Sequence, residues 1–127
     1  MPVFPQYVNA TLVEFANYRT FAAPQAAITA ASGDVITVKG VVNNTTASVV
    51  TLPEVALGGP VVVKLAGVFG VGAPVTIIPT VVDTVAGCLI DGAGSITLND
   101  AGDQIQLASD GLQWWSISKA HNTHDTF

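Results

Sequence analysis

The end of the sequence holds the residues best suited to bind a metal ion. His121 and His124 have the spacing that brings two imidazoles to one ion, and Asp125 adds a carboxylate. Zinc in proteins takes about three or four such ligands, and a chain end is rarely held rigidly. We therefore predict a solvated tail without a metal site. One alternative stays open, in which three tails of a trimer converge on its axis and share an ion.

Five aspartates lie near glycine or threonine in predicted turns: Asp83, Asp91, Asp100, Asp103 and Asp110. Calcium takes about six to eight oxygen ligands, usually from a closely spaced set. The sequence has no Asp-x-Asp-x-Asp loop. Aspartate in a turn commonly accepts hydrogen bonds from nearby backbone N–H groups. We predict that these carboxylates stabilise turns and bind no metal ion.

Nucleophilic catalysis has little support in the sequence. A Gly-x-Ser-x-Gly elbow is missing, and the single Cys88 has no histidine in the middle of the chain to activate it. Neither a dinucleotide fingerprint nor a phosphate-binding Gly-Lys-Ser or Gly-Lys-Thr loop occurs. We predict a protein without enzymatic activity, catalytic residues or cofactor. A small carbohydrate- or metal-dependent enzyme is the least supported alternative.

Charge and hydropathy restrict the partners further. The net charge is −5, and the four basic residues are far apart in the sequence: Arg19, Lys39, Lys64 and Lys119. Nucleic acids and anionic membranes bind clustered Lys and Arg, so we predict neither as a partner. The uncharged stretch 65–82 is interrupted by glycine and proline, unlike a membrane-spanning helix. No basic region precedes an apolar run at the N-terminus, so we expect synthesis in a cytoplasm without a signal peptide.

The composition itself predicts self-association. Half of the residues are apolar and 10% are charged, against about 25% charged in ordinary soluble domains. A small domain has much surface to cover, and exposed sheet edges are usually protected by charged residues. We therefore expect an obligate homo-oligomer, whose subunits cover much of each other's surface.

The pattern of the chain is that of an all-β protein. β-Branched residues are abundant, with Val alone occurring 19 times, and such residues favour strands. Short alternating runs separated by turn residues predict about eight strands, near residues 26–30, 35–42, 48–52, 61–65, 75–78, 95–99, 103–109 and 112–119. Asp110-Gly111 predicts a hairpin between the last two. Strands at this spacing predict an antiparallel β-sandwich or jelly-roll-like domain, although the pattern does not fix the strand order.

Two neighbouring tryptophans lie in the last predicted strand. Trp114 and Trp115 must point to opposite faces of the sheet, because side chains alternate along a strand. One of them is predicted to enter the core, and the other to cover the outer face or a subunit interface. Together with Tyr7 and Tyr18 they could also stack on sugars, although core or interface packing is the more common role of such residues.

The predicted organisation has three parts: an N-terminal arm (1–24), a β-sandwich domain (25–120) and a C-terminal tail (121–127). The arm is distinguished by two prolines, which favour an extended path, and by four aromatic residues, Phe4, Tyr7, Phe15 and Tyr18. An arm of this kind either packs on its own domain or reaches a neighbouring protein. These four aromatic residues are the predicted contacts with such a partner.

Residues 51–118 carry a recognisable series of motifs. Thr51-Leu52-Pro53 and Gly58-Gly59 come first, followed by Ile90-Asp91-Gly92 and Ile96-Thr97-Leu98; Ser109-Asp110-Gly111 and the Trp114-Trp115 pair close the series. The series resembles short β-modules in virion proteins of tailed bacteriophages. Such modules occur in capsid decoration (cement) proteins, head fibres and tail fibres.

The resemblance implies a homotrimer without enzymatic activity. The short arm, in place of long fibre repeats, favours a capsid decoration protein that binds the outer surface of the head and stabilises it. Its partner would then be the major capsid protein or another virion protein, and its location the capsid surface of the virion. The alternative is a host-recognition module of a head or tail fibre, which binds a cell-surface glycan or receptor.

Overall fold

The computed structural model describes residues 17–22, 27–39, 48–66, 74–100 and 102–120. Within these ranges the chain forms nine strands and one short helix. In chain order they are β1 (Asn17–Ala22), β2 (Ile28–Thr29), β3 (Asp34–Lys39), β4 (Ser48–Thr51), β5 (Val61–Ala66), β6 (Val75–Ile78), α1 (Val81–Val85), β7 (Ile96–Leu98), β8 (Gln104–Ser109) and β9 (Trp114–Ala120).

The chain alternates between two sheets. A five-stranded sheet has the order β1-β3-β5-β8-β9, and a four-stranded sheet has the order β2-β4-β6-β7. Each of the strands β3 to β6 pairs in parallel with the strand two places before it. The first six strands therefore wind as a coil that adds one strand to each sheet per turn. The last three strands reverse this direction and pair antiparallel.

The prediction of an all-β protein is confirmed, whereas the antiparallel sandwich or jelly roll is not. Among the described residues, four of the seven strand pairings are parallel. Alternation along a strand reports which side chains face the core, and it is the same whichever way the neighbouring strand runs. Only the turn residues carry information on direction, and Asp110-Gly111 correctly indicates the hairpin of β8 and β9.

Both sheets contribute to one hydrophobic core. In β3 and β5 the inward positions are fully buried, as in Ile36, Val38 and Val63. The four-stranded sheet supplies Val50 and Ile77 from the other side. The two sheets therefore pack face to face and leave their other faces outward.

Part of the range predicted as an arm belongs to the sheet. Within 1–24, the segment Asn17–Ala22 forms β1 and pairs with β3. The alternation of this strand is hidden in the sequence because one of its inward positions is the charged Arg19. That charge is accommodated by Asp34, whose Oδ2 lies 2.8 Å from Arg19 Nη1. The sequence also leaves residues 81–87 unassigned, where the structure has α1.

Candidate interaction surfaces

The predicted metal ligands of the tail, His121, His124 and Asp125, lie outside the described residues. Within the described ranges, no three or more His, Cys, Asp or Glu side chains are grouped so that they could hold a metal ion. No cavity opens between the described residues either.

Asp103 and Asp110 act within their own turns, as predicted. Asp103 is buried, and its Oδ2 accepts hydrogen bonds from the backbone N–H groups of Asn99 (3.1 Å) and Asp100 (3.0 Å). Asp110 Oδ1 accepts from the N–H groups of Leu112 and Gln113. These carboxylates fix the loops that precede β8 and β9.

Asp110 also contacts the exposed tryptophan. Trp115 Nε1 donates to Asp110 Oδ2 over 3.0 Å. This hydrogen bond, together with those from the backbone N–H groups of Gln113 and Leu112, holds the pKa of Asp110 below its usual value. The indole of Trp115 is thereby held beside a carboxylate that is ionised at neutral pH.

Asp91 joins the loop after α1 to β9. Its backbone has a φ of 50°, a left-handed conformation that is uncommon outside glycine. The carboxylate accepts from Ser116 N (2.8 Å) and Ser116 Oγ (2.6 Å), and Lys119 Nζ lies 3.4 Å away. Burial alone would raise the pKa of Asp91, but the hydrogen bonds from Ser116 and the Lys119 charge outweigh it, so the pKa is lowered.

Asp83 ties α1 to the loop between β4 and β5. Its Oδ2 accepts from the backbone N–H of Val55 at 2.8 Å. Its own N–H donates to Thr80 Oγ1 at 3.1 Å, so that Thr80 caps the N-terminus of the helix. The carboxylate thus holds α1 against this loop at one end of the domain.

Cys88 is a buried free thiol. Burial raises its pKa, and the nearby Asp83 carboxylate raises it further. A thiol with a raised pKa is a poor nucleophile, because the thiolate is the reactive form. Cys88 therefore serves as a small apolar residue of the core.

The predicted contact residues have separate positions. Phe4, Tyr7 and Phe15 lie outside the described residues. Tyr18 is on β1 and is 75% exposed. Trp114 is fully buried and its Nε1 has no hydrogen-bond partner among the described residues, whereas the neighbouring Trp115 is half exposed. The alternation of the tryptophan pair places one in the core and one outside.

One end of the domain is unusually apolar. Three segments meet there, since Asp83 binds Val55, the backbone N–H of Leu89 donates to Gln113 Oε1 at 2.6 Å, and Ser109 Oγ donates to the Val55 carbonyl. Six of the exposed large hydrophobic residues lie on these segments, and we call them the apolar end: Leu57, Val81, Val82, Val85, Leu89 and Leu112. The helix α1 contributes three of them and buries no side chain of its own.

The outward face of the five-stranded sheet has a different character. Strand register places Tyr18, Val35 and Val62 side by side, and Lys64 beside Thr37. Gln104 and Gln106 extend the face on β8, opposite Lys64 and Val62. We call this surface the lysine face; its outward residues are Tyr18, Thr20, Val35, Thr37, Lys39, Val62, Lys64, Gln104, Gln106, Trp115 and Ser118.

The outward face of the four-stranded sheet carries no charge. Its strands consist of Ile, Val, Leu, Thr and Ser alone. Thr29 and Thr51 are neighbours in one row, and Thr76 Oγ1 lies 3.4 Å from Thr97 Oγ1 in another. This face is therefore a set of β-branched side chains that are stiff and neutral.

Neither the apolar end nor the lysine face follows from one motif in the sequence. The apolar end combines three loops, and the lysine face depends on the parallel register of β1, β3 and β5. In the sequence, the excess of apolar over charged residues predicts apolar surfaces but does not show where they lie.

Comparison with known proteins adds no relative. No family model matches the chain, and no curated protein or solved structure matches it. Within the part of the chain that the structure describes, no helix has the length and apolar character needed to cross a membrane.

Proposed function

We propose that this chain is a non-enzymatic structural protein of a tailed-bacteriophage virion, which assembles as a homotrimer and decorates the outer surface of the capsid. The observation that carries the proposal is the apolar end, where valines and leucines are exposed on segments fixed by hydrogen bonds. Such a rigid apolar surface is typical of a protein interface. The virion context comes from the resemblance of the motifs in residues 51–118.

The chemistry of the described carboxylates supports a structural role. Asp83, Asp103 and Asp110 accept hydrogen bonds from backbone N–H groups of loops, and Asp91, itself in a loop, accepts from the N–H of Ser116 in β9. Carboxylates engaged in this way stabilise loops rather than transfer protons. The arrangement is that of a scaffold that presents surfaces to other proteins.

The oligomeric state is the first test of the proposal. Sedimentation equilibrium of the full chain between about 1 and 100 μM is expected to give a trimer, because isolated subunits would expose the apolar end to water. A species that remains monomeric over the whole range would overturn the proposed assembly.

The position on the particle is the second test. Gold-labelled antibodies against the purified chain are expected to mark the heads of the virus that encodes it. Labelling of the tail tip alone would favour host recognition, and particles without label would refute a virion protein.

The capsid contact is proposed to include the aromatic residues Phe4, Tyr7, Phe15 and Tyr18. A chain lacking residues 2–16 retains β1 and is expected to remain folded, but to lose binding to undecorated particles. The exchange of Tyr18 alone for alanine tests the fourth aromatic residue in the intact chain. Unchanged binding of both variants would exclude this segment as the anchor.

The second candidate is a host-recognition module that binds a surface glycan. The observation in its favour is the position of Tyr18 and Trp115, two exposed aromatic residues on the outer strands of the lysine face. Between them lie the amides of Gln104 and Gln106, which can hydrogen-bond neutral hydroxyl groups. Binding on a glycan array that is lost in Trp115→Ala would support this function over capsid decoration.

A further inference from the structure

We infer that the apolar end of one copy packs on the lysine face of the next copy, and that this contact, repeated around a threefold axis, closes the trimer. The inference rests on the proposed homotrimer and identifies the two surfaces that form it. Within the lysine face the contact covers β3, β5, β8 and β9, so that Tyr18 on the edge strand β1 stays available to the capsid. Both surfaces belong to the described residues. Each is more complementary to the other surface than to a second copy of itself.

The charges of the two surfaces are opposite. Glu54 and Asp110 are exposed at the apolar end, and Asp83 is half-buried there. No Lys or Arg occurs in the contributing segments 52–60, 80–89 and 109–113. On the lysine face, Lys39 and Lys64 are exposed, and none of its outward residues is acidic.

Contact of either surface with its own copy is unfavourable. Two apolar ends would bring carboxylates together, and two lysine faces would bring ammonium groups together. Like charges across an interface are repulsive, whereas complementary charges select the partner and its orientation. The favourable pairing therefore joins two different surfaces.

A pairing of different surfaces is the kind that forms rings. Contacts between identical patches produce twofold dimers, whereas head-to-tail contacts close into cyclic oligomers when the rotation permits. A cyclic trimer requires two separate complementary surfaces on each subunit. The apolar end and the lysine face meet this requirement.

Each of the two surfaces also offers apolar side chains to the other. From strand spacing and rise, the five-stranded sheet presents a face of about 20 Å by about 20 Å. Its inner strands β3 and β5 hold the half-buried Val35 and Val62. The exposed valines of the short helix α1 can bury apolar area on such a face.

The surfaces meet at Trp115, which points from the lysine face toward the turn of the apolar end and donates to Asp110. In a threefold ring each subunit occupies a wedge of 120° by symmetry, and its two contact surfaces converge on the axis. The inference therefore places the three copies of Trp115 near the axis of the trimer.

Two surface variants test the contact. Lys64→Glu changes the lysine face, and Val81→Asp changes the apolar end. Val81 is 79% exposed in the first turn of α1, where an acidic residue is compatible with the helix. Each variant alone is expected to weaken self-association about tenfold in sedimentation. Lys64→Glu places like charges opposite each other, and Val81→Asp replaces a valine that packs on Val35 and Val62 by a carboxylate that must lose its water there.

Mixing the variants identifies which surfaces touch. A Val81→Asp copy keeps its lysine face, and a Lys64→Glu copy keeps its apolar end, so one intact contact can form between them. The equimolar mixture is expected to give 1:1 dimers that cannot close into a ring, at concentrations where each variant alone is monomeric. Dimers of Val81→Asp by itself, formed through two lysine faces, would overturn the inference.

A charge exchange supplies the rescue. Glu54→Lys alone should weaken association, and the double variant Glu54→Lys, Lys64→Glu should recover at least part of it. Thr29→Glu places a carboxylate on the outward face of the other sheet and is the matched control, expected to remain trimeric. Thermal unfolding of every variant checks that it is folded.

The outcomes separate this inference from the proposed function. A wild-type trimer that is unchanged by both Lys64→Glu and Val81→Asp would disprove the assigned surfaces and leave the homotrimer intact. A wild-type monomer would instead overturn the homotrimer, and the inference with it.

Discussion

Arg19 on β1 and Asp34 at the start of β3 form an ion pair that joins the edge of the five-stranded sheet to its neighbour. Arg19 Nη1 lies 2.8 Å from Asp34 Oδ2 and 2.9 Å from the carbonyl oxygen of Thr29 on β2. Asp34 is 2% exposed, and its Oδ2 also accepts from the backbone N–H of Ala31. One guanidinium therefore connects the first strands of both sheets.

Removing this guanidinium should destabilise the domain. Arg19→Ala leaves the buried Asp34 carboxylate without its cation, and we expect a loss of about 1 to 3 kcal/mol in the free energy of unfolding, less than for a wholly buried pair because Arg19 is partly exposed. Urea denaturation measures the loss. Tyr18→Ala, on the same strand but outward, is the control and should cost much less; equal losses would show that the ion pair contributes nothing particular.

The carboxylate of Asp91 should make stability depend on pH. Its pKa is lowered in the folded protein, so its contribution is present above the pKa of the unfolded chain and is lost as the pH falls through the folded pKa. We expect Asp91→Asn to reduce the stability difference between about pH 6 and pH 2 by about 1 kcal/mol. Urea unfolding at both pH values measures it.

Ser116 is expected to be the main cause of this lowered pKa. In Ser116→Ala the hydroxyl that contacts Asp91 Oδ2 is missing, so an NMR titration should show the pKa of Asp91 rising toward its ordinary value. Ser118→Ala, on the same strand but exposed, is the matched control. A titration curve of Asp91 that is the same in both variants would contradict the role of Ser116.

Gly59 is required by a close approach of the chain. A Cβ at this position would lie 1.5 Å from Ser32 Oγ and 2.8 Å from Ser32 Cβ. We expect Gly59→Ala to lower the free energy of unfolding by about 1 to 3 kcal/mol, because the two loops must separate. Ser32→Gly removes both clashing atoms, so Gly59→Ala should cost much less stability in a Ser32→Gly background than in the wild type. An equal cost in the two backgrounds would locate the strain elsewhere.

Cys88 should be protected from modification in the folded protein. Its burial and raised pKa predict that a thiol reagent such as 5,5′-dithiobis(2-nitrobenzoate) reacts at pH 8 at least about a hundredfold more slowly than in urea. The reaction is followed by absorbance. A fast reaction without denaturant would mean that the region around Cys88 opens readily.

Several strands follow from local patterns in the sequence. β4, β5 and β6 occupy predicted ranges, and β8 lies within the predicted range 103–109, where the buried Ile105 and Leu107 alternate with glutamines. The hydrophobic pattern does not reveal β1, because the charged Arg19 occupies one of its inward positions. It does not reveal the short helix α1 either, because Val81, Val82 and Val85 are typical strand residues; the helix signal there is the cap at Thr80.

The candidate surfaces were harder to predict than the strands. The scarcity of charge indicated a buried interface, but Lys39 and Lys64 are 25 positions apart in the sequence and come onto one face only through the register of β3 with β5. β3 and β5 are neighbours because the strand between them in the sequence, β4, crosses to the other sheet. The same holds for the apolar end, whose parts are joined by Asp83 and Gln113.

The coil of parallel strands has a consequence for the order of folding. Asn17 pairs with Asp34 and Ser48 with Val75, so each turn must close a long loop before its hydrogen bonds form, which slows folding. The hairpin of β8 and β9 closes through a short turn and can form first. A chain emerging from the ribosome from its N-terminus can therefore pair β1, β3 and β5 in turn, but the second edge of β5 stays open until β8 of the C-terminal hairpin has been made.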